Sequence, residues 1–145
     1  MLTRIRIAVK SPDGLRRLTH FVFGKVLFSL PPSLRRWMFR GKRATCPLCG
    51  SSLRGFLRLH RVYHLYCPVC ASLQRHRLVW LLLEQLGLLS RLEGGKRMLH
   101  IAPEACLEAQ FRRIPGLDYL SADLYSRQAM RKIDITHIPL PDDSF

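Results

Sequence analysis

Apolar and polar positions change their period several times along this chain. Residues 1–10 alternate weakly, with Leu2, Ile5, Ile7 and Val9 apolar, which suits a short strand or a frayed leader. Ser11-Pro12-Asp13-Gly14 is a turn signal in which Ser11 or Asp13 can cap a helix. From Leu15 to Leu30 apolar residues cover one broad face, and Arg16, Arg17, His20 and Lys25 lie mostly off it. Pro31-Pro32 ends that predicted helix, and Ser33 caps a second short one over Leu34–Arg40. Segments Ser52–Leu59 and His60–Tyr66 are expected to pair as a hairpin. Ser72 is placed to cap a longer helix running to about Leu86. Leu78, Val79, Leu81, Leu82, Leu83 and Leu86 give it an apolar body, and Gly87 fits its end.

After the loop Glu93-Gly94-Gly95-Lys96 the period shortens. Arg97–Ile101 is predicted as a buried strand, and Ala102-Pro103-Glu104 as a turn with Pro103 suited to a first helical turn. A helix from Glu104 to about Arg113 follows and stops at Ile114-Pro115-Gly116. Asp118–Ala122 is a second strand, closed by Asp123. Residues 124–131 are irregular or a short helix, Lys132–Ile135 is a third short strand or an extended loop, and Pro139–Phe145 is a turn. Strand, helix and strand joined by short loops make a βαβ unit, so the sheet should be parallel.

The chemistry begins at four cysteines. Cys46-Pro47-Leu48-Cys49 and Cys67-Pro68-Val69-Cys70 are two Cys-x-x-Cys pairs with seventeen residues between them. That spacing suits four thiolates around one tetrahedral zinc ion, with Gly50 letting the backbone fold back after the first pair. Disulfides and an iron site are the competing readings. His60 and His64 lie between the pairs and are expected on the hairpin surface, because four sulfurs already fill a tetrahedron. Cys106 has no partner in sequence and is expected as a core thiol on a helix.

Composition changes the picture at the front of the chain. The 145 residues carry a net charge of +14, and residues 1–43 hold eleven Lys or Arg against Asp13 alone. Such asymmetry points to an anionic partner, either nucleic acid or a membrane surface, or else to a solvated basic leader without one. Within Leu34–Arg40 the Trp37 and Phe39 rings are interleaved with arginines. That pattern suits RNA, an anionic lipid surface, or packing on the next module. Arg75, His76 and Arg77 open the later helix, where cations oppose the dipole, so they are expected to face an anion; a catalytic His76 is a further option. The apolar run Phe21–Leu30 is interrupted by Lys25 and is too short to span a bilayer. Metal-spaced cysteines without a secretory signal imply a reducing, cytoplasmic setting.

A nucleotide-type ligand binds a βαβ unit at the carboxyl ends of its strands, and an acid about twenty residues past the first turn holds the ribose. Asp123 stands twenty residues after Pro103. The pieces Leu99-His100-Ile101-Ala102-Pro103-Glu104, Ser121-Ala122-Asp123-Leu124 and Asp134–Phe145 resemble the first half of a class I S-adenosylmethionine-dependent methyltransferase. More narrowly they are similar to type 11 bacterial enzymes with an N-terminal zinc ribbon. The junction Cys67–Arg77 is also similar to that subgroup, so the resemblance covers roughly residues 44–145.

The expected chain is α/β in four parts: a basic helical leader (1–43), which lies outside the resemblance, then a zinc ribbon (44–71), a linking helix and loop (72–95), and a partial Rossmann-like domain (96–145). The resemblance implies S-adenosylmethionine as cofactor. Ala102, Pro103 and Glu104 would lie against its methionine part, Asp123 on the ribose, Leu124 beside the adenine, and Asp134 and Ile135 at the ring's border. The family's glycine-rich turn is replaced, with His100, Ala102 and Glu104 in the places of its acid and two glycines. The family pattern continues past Phe145, so the expectation is a fragment with little transferase activity alone and no assignable catalytic base. The rival expectation is a non-enzymatic zinc-ribbon module that binds nucleic acid.

Overall fold

A computed structural model describes residues 23–58 and 65–145. The expected strand at 1–10, the turn at 11–14, the first part of the leading helix, and His60 and His64 lie outside these residues. The chain divides into two compact units, Met1–Arg75 and His76–Phe145.

In the first unit, residues 23–29 are helical and Pro31-Pro32 separates them from α1 (Pro32–Met38). Ser33 is not the cap. Pro31 holds that position, and Pro32 occupies the first turn, where its missing N–H costs nothing. The α1 helix buries Arg35, whose guanidinium lies 5.2 Å from the Phe28 ring centre and 3.5 Å from the Pro68 carbonyl. The chain continues as β1 (Arg40–Thr45), which pairs antiparallel with β2 (Ser52–Leu53) through a bulge between Arg40 and Ala44. A Cβ on Gly41 would meet the Arg54 backbone nitrogen at 2.5 Å, so the bulge needs glycine there.

The expected hairpin forms in part: among the described residues β3 (Leu57–Arg58) pairs antiparallel with β4 (Leu65–Tyr66), whereas Ser52–Leu53 turns back to β1. The helix α2 (Gln74–Gln85) leads out of the first unit. The apolar body expected of it lies largely at the surface. Leu78, Val79, Leu81, Leu82 and Leu86 are exposed, while His76 and Arg77 are buried. The anion expected beside His76 is the carboxylate of Glu104, 3.5 Å from Nε2.

Gly87, in the left-handed region at φ 66°, separates α2 from α3 (Leu88–Arg91). Then β5 (Arg97–Ile101), α4 (Ala105–Phe111) and β6 (Asp118–Ala122) follow as expected, and β5 pairs with β6 in parallel, Arg97 beside Asp118 through Ile101 beside Ala122. The third segment forms no full strand. It lies along β6 through a parallel bridge from Ala122 to Arg131 and through the Asp123 N–H donating to the Arg131 carbonyl at 3.1 Å. The order is thus β5, β6, residues 131–133. Leu107, Phe111, Tyr119, Ala122 and Ile133 form the buried apolar core of this unit. No helix among the described residues is long and apolar enough to cross a membrane.

Candidate functional site

The two cysteine pairs build one motif twice. In Cys46-Pro47-Leu48-Cys49-Gly50-Ser51 the Cys46 N–H donates to the Ser51 carbonyl and Gly50 N–H to the Cys46 carbonyl. In Cys67-Pro68-Val69-Cys70-Ala71-Ser72 the corresponding pairs are Cys67 to Ser72 and Ala71 to Cys67. Both turns need a left-handed residue at the fifth place. The first uses Gly50 at φ 66°, the second Ala71 at φ 60°, where a Cβ costs roughly 1–2 kcal/mol. The third residue of each, Leu48 and Val69, is buried with Leu53 and supplies the module's small apolar core.

These turns bring the four sulfurs to within 4.8 Å of one another. Cys46 and Cys70 are 3.8 Å apart, as are Cys49 and Cys67. Metal–sulfur bonds of about 2.3 Å set tetrahedrally imply sulfurs about 3.8 Å apart. A disulfide would hold its sulfurs at about 2.05 Å, and all five cysteines are free thiols. Among themselves the four thiols share protons unevenly. Cys46 is drawn down by hydrogen bonds from Cys49, Cys67 and Cys70. Cys49 is pushed up by Cys46 but drawn down by Cys67 and Cys70, to about 6. Cys67 is pushed up by Cys46 and Cys49, and Cys70 by Cys46, Cys49 and Cys67. A divalent cation resolves this conflict by holding all four as thiolates. Ser51 Oγ lies 3.3 Å from Cys49 Sγ, and Ser72 Oγ 3.2 Å from Cys70 Sγ. These buried hydroxyls can donate to thiolates and tune their basicity. Ser72, expected as a helix cap, sits here instead, two residues before α2 begins. Cys46, Cys49, Cys67 and Cys70 are thus positioned to hold one metal ion.

In the second unit the other expected residues gather at the carboxyl ends of the strands. The turn Ala102-Pro103-Glu104 follows β5, Asp123 and Leu124 follow β6, and the Ile133 N–H donates to the Asp123 carbonyl at 3.4 Å, bringing Asp134 and Ile135 to the same edge. Ala102 donates its N–H to the Ala122 carbonyl at 2.8 Å and has φ 50°. The backbone therefore keeps a glycine-like conformation although the side chain is alanine. Asp123 Oδ1 accepts from the Tyr125 and Ser126 N–H groups, both at 2.7 Å. Those bonds, Ser126 first, hold its carboxyl below the usual range. Asp134 is used similarly: its Oδ1 accepts from the Thr136 N–H and hydroxyl, which lower its carboxyl. Ile135 is exposed.

His100 does not face this edge alone. Its Nδ1 lies 2.8 Å from the Tyr119 hydroxyl and its Nε2 3.7 Å from Glu104 Oε2. Burial lowers His100 and pushes the Tyr119 phenol up to about 12, so a neutral ring accepts from the phenol and turns Nε2–H toward Glu104. The other Glu104 oxygen reaches His76 Nε2, whose Nδ1 lies 3.2 Å from Cys106 Sγ. Cys106 is part-exposed rather than a closed core thiol. Sequence reasoning missed this constellation because His76 and Cys106 lie thirty residues apart. The local hint was His76 itself, expected to face an anion at the start of an apolar helix and raised as a catalytic option.

A cleft of about 360 Å³ lies between Arg36 and Trp37 of α1, Arg40 of β1, and the knuckle backbone at Gly50–Ser52. Trp37 is 75% exposed. Comparison with protein families, with curated proteins and with solved structures finds no match for this chain.

Proposed function

We propose that the β5–α4–β6 unit is the S-adenosylmethionine-binding part of a methyltransferase domain, joined to a zinc ribbon made by Cys46, Cys49, Cys67 and Cys70. One observation carries the reading. A parallel strand–helix–strand unit ends its first strand on a left-handed turn residue, Ala102, and its second on an acid, Asp123, at the same edge. Ala102, Pro103 and Glu104 would border the methionine part. Asp123 would accept from the ribose hydroxyls through the oxygen its own loop leaves over, Leu124 would flank the adenine, and Asp134 and Ile135 would close its border. His100 would position Glu104. The cofactor supplies the methyl group; the chain's work is to orient it and exclude water.

Asp123→Asn tests the cofactor part. Asparagine keeps an oxygen for the Tyr125 and Ser126 amides but removes the charge and one acceptor. A hydrogen bond to a charged group is worth about 1.5–3 kcal/mol. Calorimetric titration is expected to show saturable binding of S-adenosylmethionine by the native chain and a loss of about tenfold or more in the variant. No saturable binding, or equal binding by both chains, overturns the assignment.

The exposed Trp37 favours a second activity for the first unit, binding of single-stranded RNA. A base would stack on Trp37, with phosphates on Arg36 and Arg40. Trp37→Ala is expected to weaken oligonucleotide binding by about 1–3 kcal/mol. Native binding is expected to fall steeply with salt, while cofactor binding barely responds. Undiminished binding by Trp37→Ala, or capture by anionic vesicles in place of RNA, rejects this reading.

A further inference from the structure

Five titratable side chains run in one line through the second unit: Tyr119, His100, Glu104, His76 and Cys106. The far end of that line has the arrangement of a nucleophile, a base and an orienting acid. Cys106 Sγ is 3.2 Å from His76 Nδ1, and His76 Nε2 is 3.5 Å from Glu104 Oε1. The Glu104 carboxylate lies 3.5 Å from the buried Nε2 without a hydrogen bond and favours a proton on that nitrogen, which leaves the Nδ1 lone pair to the thiol. His76 is 6% exposed, so little water competes for that lone pair, whereas Cys106 is open enough for a small reagent to reach. The same carboxylate is steadied from its other side by His100, itself held by Tyr119.

We propose that Cys106 is a nucleophilic thiol with His76 as its base and Glu104 orienting the imidazole, and that small hydroperoxides oxidise it to a sulfenic acid. The thiol proton moves to His76 Nδ1. The thiolate sulfur attacks one peroxide oxygen, the S–O bond forms and the O–O bond breaks. The departing oxygen takes the proton from the imidazolium and leaves as water or an alcohol. Sulfur loses two electrons and the peroxide gains them, so the step needs no further reagent. An inert structural thiol would be closed among apolar side chains; this one touches a ring nitrogen whose opposite edge meets a carboxylate. The inference holds whether or not the neighbouring edge binds a cofactor.

The test is the rate of modification at the Cys106 peptide, followed by mass spectrometry on the full, metal-loaded chain. Other charged or titratable groups around the pair are Arg75 and Arg77 beside His76 on α2, Glu104 from the turn, Glu108 from α4, and His100 from β5 across the Glu104 carboxylate, with Tyr119 behind it. Iodoacetamide alkylation is expected to be about tenfold faster at pH 7 than for an ordinary thiol, with its midpoint below the usual ~8.5. Brief hydrogen peroxide treatment is expected to give a dimedone adduct at Cys106. His76→Gln is expected to return the midpoint to the ordinary value, and Glu104→Gln to give a smaller slowing. The native profile decides the matter even where a variant fails to fold. Alkylation no faster than a free thiol with a midpoint near 8.5, or no adduct, overturns the proposal.

Discussion

Stripping the metal with a strong chelator under reducing conditions is expected to unfold the region 40–75. Replacing Cys67 with serine should do the same. Without the ion, little else holds this region. The strands β2, β3 and β4 are two residues each, and two-stranded pairs of that length are marginal in water. The buried apolar residues around the knuckles are few, chiefly Leu48, Leu53 and Val69 beside the cysteines themselves. Three such side chains contribute about 1.5–3 kcal/mol each on burial. A structural zinc ion contributes on the order of 10–16 kcal/mol at neutral pH, more than the burial of those three side chains together. The measurements are one metal ion per chain by elemental analysis and loss of amide-exchange protection over 40–58 and 65–75 on chelation. Retained protection in metal-free protein would show that the sulfurs do not hold a structural ion.

The cysteine site was legible because its information is local. A Cys-Pro-x-Cys turn followed by Gly50 or Ala71 and then serine specifies its own backbone, and two copies seventeen residues apart need only meet. Strands β5 and β6 were also legible to the residue: each is a short apolar run between strong punctuation, Gly94-Gly95 and Ala102-Pro103 for one, Pro115-Gly116 and Asp123 for the other. What failed was whatever depended on a distant partner. Ser52–Leu53 pairs with β1 because Gly41 lets the Arg54 backbone approach closely, a contact that no strand periodicity encodes. The α2 leucines read as the helix's apolar body, yet His76 and Arg77 are its buried positions. A carboxylate from a later turn and a thiol from a later helix meet His76, and helical period cannot announce them. Glu104 read as a cofactor residue alone, but both of its oxygens are drawn toward imidazoles.

Phe111→Ala is expected to remove about 3–5 kcal/mol from the second unit. Phe111 is 3% exposed and is the ring to which the others are fitted. Trp80 meets it at 5.7 Å between ring centres, His100 edge-on at 5.5 Å, and Tyr119 stacks on it at 6.3 Å. Truncation would leave a cavity where α4 crosses β5 and β6, and only Leu107 on the same helix remains buried to hold the contact. A unit of this size has about 3–5 kcal/mol in all, so the variant should be largely unfolded at 37 °C. Phe111→Leu, which keeps most of the volume, should cost only about 1–2 kcal/mol. The chain has two tryptophans, so in a Trp37→Phe background Trp80 alone reports on Phe111. Urea titration of its fluorescence measures both substitutions. The chemistry should follow the packing. Cys106 lies on the helix that Phe111 anchors, and His100 and Tyr119 rest against the same ring. Loss of Phe111 should therefore free His100 from the Tyr119 hydroxyl and leave Cys106 reacting as an ordinary thiol, while metal content stays at the native value because the four sulfurs draw nothing from this cluster. A fully folded Phe111→Ala chain with native Cys106 reactivity would mean that α4 is held, and its thiol aligned, by something other than this aromatic cluster.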